Sequence, residues 1–255
     1  MAGSSYGVEF RVTTFGESHG KGVGVIVEGV TPGLEISEEE IQKELDRRKP
    51  GQSDVTTPRK ESDIVHIISG HFEGRATGTP LTMVIWNADA RPSAYDNLKD
   101  LFRPGHADFT YHQKYHHRDH RGSGRASGRE TAGRVAAGAV AKRMLAQRGV
   151  VIRAFTLQVG DIRGERIDYE AIERNPVRAA DPEKAPAMAQ LIRTLGAEKD
   201  SVGGIVECRV QGVPAGLGEP VFDKIDADLA KAVLSLGAVK GVEFGAGFAA
   251  ANMRG

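Results

Sequence analysis

Gly16-Glu17-Ser18-His19-Gly20 sets a carboxylate, a hydroxyl and an imidazole side by side in one short turn. The spacing fits the G-x-S-x-G pattern, in which a strained strand-to-helix turn lifts a nucleophilic serine above a parallel sheet. The flanks give a different setting. Phe10-Arg11-Val12-Thr13-Thr14-Phe15 is β-branched and aromatic, and residues 23–30 form a second β-rich run with no helical period. Strand–loop–strand does not present a nucleophile, so Ser18 is not read as one. His19 is left without a role by this argument.

A second concentration of chemistry lies between Arg103 and Arg134. It holds six arginines (Arg103, Arg118, Arg121, Arg125, Arg129, Arg134), Lys114 and five of the eight histidines, opposed only by Asp108, Asp119 and Glu130. The segment runs into an expected helix N-terminus, where unpaired N–H groups and the dipole also favour an anion. Guanidinium forks match phosphate and carboxylate bidentately. The pattern reads as a pocket for a multiply anionic small molecule; the plainer alternative is a solvated basic face. A nucleic-acid track is the third reading, against which stand the compact cluster, the sparse aromatics and a chain balanced at 34 acidic and 34 basic residues. His112, His116, His117 and His120 raise a metal site. The one cysteine, Cys208, is far along the chain, and no metal is expected.

The elements that must carry these groups can be read from period and punctuation. Ser37 and Glu40 form a capping box, opening a helix with Ile41 and Leu45 inward that ends before Pro50-Gly51. Strands are expected at 64–69 and 81–86. Residues 88–124 lack a period and read as a long functional loop. Ser127 and Glu130 resemble a second capping box, opening a helix that stops near Gly149. A strand at 150–159, a helix from Asp181-Pro182 to Leu195, a strand at 203–210 and a helix at 223–234 with Leu229 and Val233 inward follow. The turn Gly29-Val30-Thr31-Pro32-Gly33-Leu34 is echoed by Gly212-Val213-Pro214-Ala215-Gly216-Leu217, which hints at two similar halves. Alternating strands favour antiparallel sheets with helices packed on one side, and the class is α+β. A single cysteine, no signal-peptide segment and no apolar run of membrane length place the chain in the cytoplasm.

In three segments the sequence closely resembles chorismate synthase: Phe15–Gly20 with the Gly29–Pro32 turn; Asp46-Arg47-Arg48-Lys49-Pro50-Gly51; and Phe102-Arg103-Pro104-Gly105-His106-Ala107-Asp108 through Arg121–Ser127 to Arg129-Glu130-Thr131. Ala238–Glu243 also matches, so the likeness runs nearly end to end. The resemblance implies a β-α-β sandwich of two pseudo-symmetric halves, one domain over residues 1–255, a homotetramer, and a flavoenzyme. The family eliminates phosphate and a ring hydrogen from 5-enolpyruvylshikimate 3-phosphate and needs reduced FMN without net redox change. Carried onto this chain, His19 is the acid serving the reduced flavin and His106 the acid for the departing phosphate. Ser18, Arg48, Arg103, Arg129 and Arg134 hold substrate, while Arg125, Ala126, Ser127, Gly237 and Ala238 hold the flavin. Asp54 stands where relatives carry an arginine, with Arg59 or Lys60 as the expected substitute. A link to NADP comes only with the resemblance; no G-x-G-x-x-G fingerprint follows a strand here, so a separate flavin reductase is expected. Family members continue well past Gly255, so the chain is expected to lack roughly the C-terminal third, and an anion-binding fragment without activity is the alternative.

Overall fold

Valine on alternate positions of residues 22–28 puts Val23, Val25 and Val27 on one face, and all three are buried. The computed structural model describes residues 3–56, 61–88 and 92–255. In chain order its strands are β1 Ser5–Tyr6, β2 Arg11–Gly16, β3 Gly22–Glu28, β4 Val65–Ser69, β5 His71–Phe72, β6 Arg75–Ala76, β7 Leu81–Trp86, β8 Val151–Val159, β9 Ile162–Arg163 and β10 Gly204–Gln211. Its α-helices are α1 Glu38–Arg48, α2 Asp108–Tyr115, α3 Thr131–Ala146, α4 Ala185–Ala197 and α5 Ile225–Leu234. The fold is α+β, and the described ladders between strands are antiparallel.

The residues group into two compact units. The first takes Met1–Glu35, Val65–Ala137 and Pro214–Gly255. Its sheet has the order β1-β2-β3-β7-β4, with Gly16 opposite Val23 and Gly22 opposite Trp86. Leu81, Met83 and Ile85 bury alternate positions of β7, each such side chain contributing about 1.5–3 kcal/mol. The start of α3 packs on this sheet through small residues. Ala132 and Ala136 are fully buried, and a Cβ on Gly133 would lie 2.9 Å from Gly24 O of β3. That close approach needs glycine.

The second unit takes Ile36–Ile64 and Gly138–Val213. Its sheet has the order β10-β8-β9, and α4 packs a core of Val159, Val177, Ala179, Ala185, Met188 and Ala189. α1 matches expectation: Ser37 Oγ accepts from Glu40 N at 3.3 Å, and Ile41 and Leu45 are fully buried.

Several expectations are corrected. The stretch 88–124 contains a 3-10 helix, Pro92–Leu98, and the helix α2. Ser127 caps a short 3-10 turn by accepting from Arg129 N, while Glu130 turns away to other partners. Asp181 accepts from Glu183 N and Lys184 N, but α4 proper begins at Ala185. Leu229 and Val233 of α5 are partly exposed (43% and 36%) rather than inward. The turn echo has a backbone counterpart. Gly29 and Gly33 have φ of 80° and 79°, and Gly212 and Gly216 have 77° and 95°. Each pair follows a strand that precedes a helix.

Candidate functional site

The site in the first unit begins at a hairpin. Residues 17–21 join β2 to β3, which is why Ser18 sits on no nucleophile elbow. The loop is pinned from the end of β7: Asn87 Nδ2 donates to Glu17 O and Gly20 O, both at 2.9 Å. Arg129, only 4% exposed, donates through Nε to Asn87 Oδ1 and from Nη2 to Trp86 O at 3.4 Å. The guanidinium is thus met by the oxygen of the same amide whose nitrogen braces the hairpin loop. Arg125 lies beneath the same loop, donating to Gly16 O (3.0 Å), Thr14 O (3.1 Å) and Thr14 Oγ1 (2.6 Å).

Ser18 is buried, and its hydroxyl has no hydrogen-bond partner among the described residues. Burying an unsatisfied hydroxyl costs about 1–3 kcal/mol, so the arrangement calls for a ligand group there. Gly122, with φ of 63°, lies against both Ser18 and His19. On its other side the His19 ring meets Tyr95 edge-on, with centroids 4.7 Å apart.

The next residue, Ser123, reaches the second histidine, with Oγ 2.7 Å from His106 Nε2. The dipeptide Gly122-Ser123 therefore touches His19 with one residue and His106 with the other. His106 Nδ1 is 3.1 Å from Asp108 Oδ1, a close contact outside hydrogen-bond geometry. Asp108 opens α2 and is 4% exposed. Arg103 grips it with Nε (2.7 Å) and Nη2 (3.0 Å), and Arg118 Nη1 adds a contact at 3.4 Å. The Arg103 bonds hold the Asp108 carboxyl well below the usual carboxylate range, against the opposing effect of burial. Arg103 also donates to Gly122 O at 2.6 Å and lies over the Tyr95 ring at 5.8 Å.

A buried network continues along α3. Thr14 Oγ1 donates to Glu130 Oε1 at 2.7 Å and Arg134 Nε to Glu130 Oε2 at 2.8 Å. Arg134 then donates to Ser235 Oγ (2.5 Å) and Ser235 O (3.4 Å), next to the segment bearing Gly237 and Ala238. A Cβ on Gly237 would meet nothing, and Ala238 holds a φ of 68°. Arg121 forms its own bidentate pair with Asp119 (2.8 and 2.6 Å).

The first unit thus assembles Ser18, His19, Arg103 and His106 about Gly122-Ser123, with Arg125, Ala126, Ser127, Arg129 and Arg134 following on. Arg48 belongs to the second unit, where its Nη1 lies 2.6 Å from Asp63 Oδ2. Asp54 pairs there with Arg193 at 2.7 and 3.3 Å; Arg59 and Lys60 lie outside the described residues. Sequence reasoning missed Asn87, Tyr95 and Ser123, and met Asp108 only as a counter-charge. The His106-Ala107-Asp108 spacing was the one available signal. Among the described residues no cluster of metal-ligating side chains forms, and no helix is long and apolar enough to cross a membrane.

Comparison with known proteins identifies the family. A family model described as chorismate synthase matches residues 10–255. The chorismate synthase of Methanosarcina mazei is 60% identical over 259 residues, covering all of this chain and 71% of that protein. The chorismate synthase of Roseiflexus castenholzii is 57% identical over 255 residues, with the same coverages. A crystal structure of a chorismate synthase superposes with a TM-score of 0.80 at 35% identity, covering 96% of this chain and 71% of that one.

Proposed function

This chain belongs to the chorismate synthase family of carbon–oxygen lyases acting on phosphates, and on that premise we propose that it converts 5-enolpyruvylshikimate 3-phosphate to chorismate. The reaction is an anti-1,4 elimination that expels phosphate and removes a ring hydrogen. The observation that carries the reading is the buried, unpartnered Ser18 hydroxyl set beside His19, one glycine away from the Ser123–His106 contact.

The substrate carries one phosphate and two carboxylates, and Arg103, Arg129 and Arg134 of the first unit are its proposed holders. Ser18 gives its unused hydroxyl to the bound substrate. His106 supplies the proton for the phosphate that leaves when the C–O bond breaks, and His19 holds the proton for the flavin side of the site, its ring oriented by Tyr95. When bound, reduced FMN supplies the electron-rich ring that makes the C–O bond easier to break. Two observations fit such a group. Gly237 is open at its Cα, and Arg134 ties Ser235, just before it, to the helix that follows Arg125, Ala126 and Ser127. The same family reading carries one domain over residues 1–255, a homotetramer, a cytoplasmic location and a separate flavin reductase.

The test is direct. The purified chain is mixed anaerobically with the substrate and chemically reduced FMN. Chorismate and inorganic phosphate released in equal amounts support the reading; neither product from a folded chain that binds the substrate overturns it.

A further inference from the structure

The connection that carries Ser18 and His19 is held on both flanks by one side chain. Asn87 Nδ2 donates to Glu17 O, just before the pair, and to Gly20 O, just after it, both at 2.9 Å. An amide nitrogen has two hydrogens, so both are used. The backbone N of Asn87 adds a bond to Lys21 O at 3.0 Å, one step beyond the Gly22–Trp86 pairing of β3 and β7. The remaining end of the amide, its oxygen, accepts from Arg129 Nε. These partners fix which way the amide points. Turned over, it would set an oxygen against two carbonyls and an N–H against a guanidinium.

We infer that Asn87 is a positioning residue for the reaction: its amide sets the Ser18-His19 pair and the Arg129 guanidinium at one fixed separation before the substrate arrives. The inference rests on the proposed reading in which Ser18 and Arg129 hold the substrate and His19 serves the flavin side. Asn87 acts only through these groups. Its side chain bonds the loop backbone and Arg129, and an amide neither gains nor loses a proton near neutrality. What it supplies is placement. A hairpin connection can rock about its ends, and a displacement of about 1 Å at a reacting group can cost about 10²-fold in rate. Two bonds from one nitrogen at the end of β7 oppose that motion, and the oxygen of the same group carries the constraint to Arg129. Aspartate at this position would keep the oxygen for Arg129 and lose both donors to the loop, whereas alanine would lose both ends. The two changes therefore separate the two halves of the role.

Asn87→Asp and Asn87→Ala, each alone and combined with His19→Ala, test it in single-turnover and steady-state assays with saturating reduced flavin. Both single variants are expected to lower kcat by about 10–10²-fold. Substrate KM is expected to be about tenfold higher in Asn87→Ala than in Asn87→Asp, because only the aspartate still holds Arg129 by a charge-assisted bond. In the His19→Ala background either change is expected to cost less than about threefold in kcat, since a ring that is absent no longer needs placing. Amide exchange in the chain alone gives a readout independent of turnover. Gly20 N, which donates to Glu17 O at 3.2 Å, is expected to exchange faster in both variants, while the β8 amides of the second unit keep parental rates and show the chain folded. Asn87→Ala, which introduces no charge, carries the test where the aspartate variant does not fold. If the parent turns over and the folded variants stay within about threefold of its kcat, the positioning role is wrong and the proposed function stands. An equal loss with and without His19 would make Asn87 a general support of the fold and overturns the inference as well, as does parental exchange at Gly20. A parent chain without turnover removes the proposed function, and the positioning role falls with it.

Discussion

Gly122 lies so close to His19 that a Cβ on it would stand 2.1 Å from the ring's Cδ2 and 2.9 Å from Nε2. Its φ of 63° belongs to the left-handed region, so it pays twice for a side chain. This contact sets where the first histidine can be. We predict that Gly122→Ala costs about 1–2 kcal/mol from the backbone alone and pushes the His19 ring aside. Turnover is expected to fall further than stability, with Tm lower by about 2–4 °C per kcal/mol. Parental turnover and Tm in this variant would show that the loop does not seat against His19.

Ser18 separates stability from function. Its hydroxyl is buried without a partner, so Ser18→Ala removes an unsatisfied group and is expected to leave Tm equal or raised, by up to about 1 kcal/mol of stability. Substrate KM is expected to rise, because the hydroxyl meets its partner only in the complex. A serine-directed fluorophosphonate should leave Ser18 unlabelled. Stoichiometric labelling at Ser18 would reinstate the nucleophile reading.

His106→Ala is expected to lower kcat by about 10²–10⁴-fold and leave flavin affinity nearly intact, since the ring contacts Asp108 and Ser123 rather than the segments proposed for FMN. Single-turnover kinetics with a parallel flavin titration measure both. A drop of less than about threefold would rule out the acid role.

Acid stability follows from Asp108. Its folded pKa lies below the unfolded value of about 3.9, so the pair with Arg103 contributes fully above that value. The contribution is lost as pH falls through the unfolded value towards the folded one. Asp108→Asn should therefore be least stable relative to the parent near neutrality and converge with it in strong acid. Denaturant unfolding between about pH 7 and pH 2 decides; a constant gap would mean that Asp108 is not the titrating group.

Glu130 holds Thr14 on one oxygen and Arg134 on the other. Glu130→Gln is expected to cost about 1–3 kcal/mol, less than a fully buried pair because Arg134 is half-exposed and partly screened by water. The Ser235 contact of Arg134 should loosen with it, read as faster amide exchange around Gly237. Unchanged exchange would show that the Arg134–Ser235 contact does not depend on the carboxylate.

Local signals carried much of this protein. The β-rich run at 23–30 announced β3, the Ser37 cap and the spacing of Ile41 and Leu45 announced α1, and the β-rich flanks of Ser18 argued against a nucleophile. Each is decided within a few residues, by pleat, helical period or cap chemistry, so each can be read from the chain. The family motifs likewise marked His19, His106 and the arginines. Other features depended on what lies opposite. The run 239–244 is rich in β-formers, yet it forms no strand because no neighbouring strand pairs with it. Leu229 and Val233 keep their helical spacing on α5 but remain partly exposed, since period cannot say what covers a face. The sequence marks the arginines as a group but not their partners; only folding sets Arg125 on the β2 backbone, Arg129 on Asn87 and Arg134 on Glu130. Ser123 and His106 are 17 residues apart with helix α2 between them, and only the closing of that loop sets Nε2 against Oγ. Residue type and period are properties of the chain, whereas a contact between residues far apart in sequence is a property of distances, and those exist only once the chain has packed.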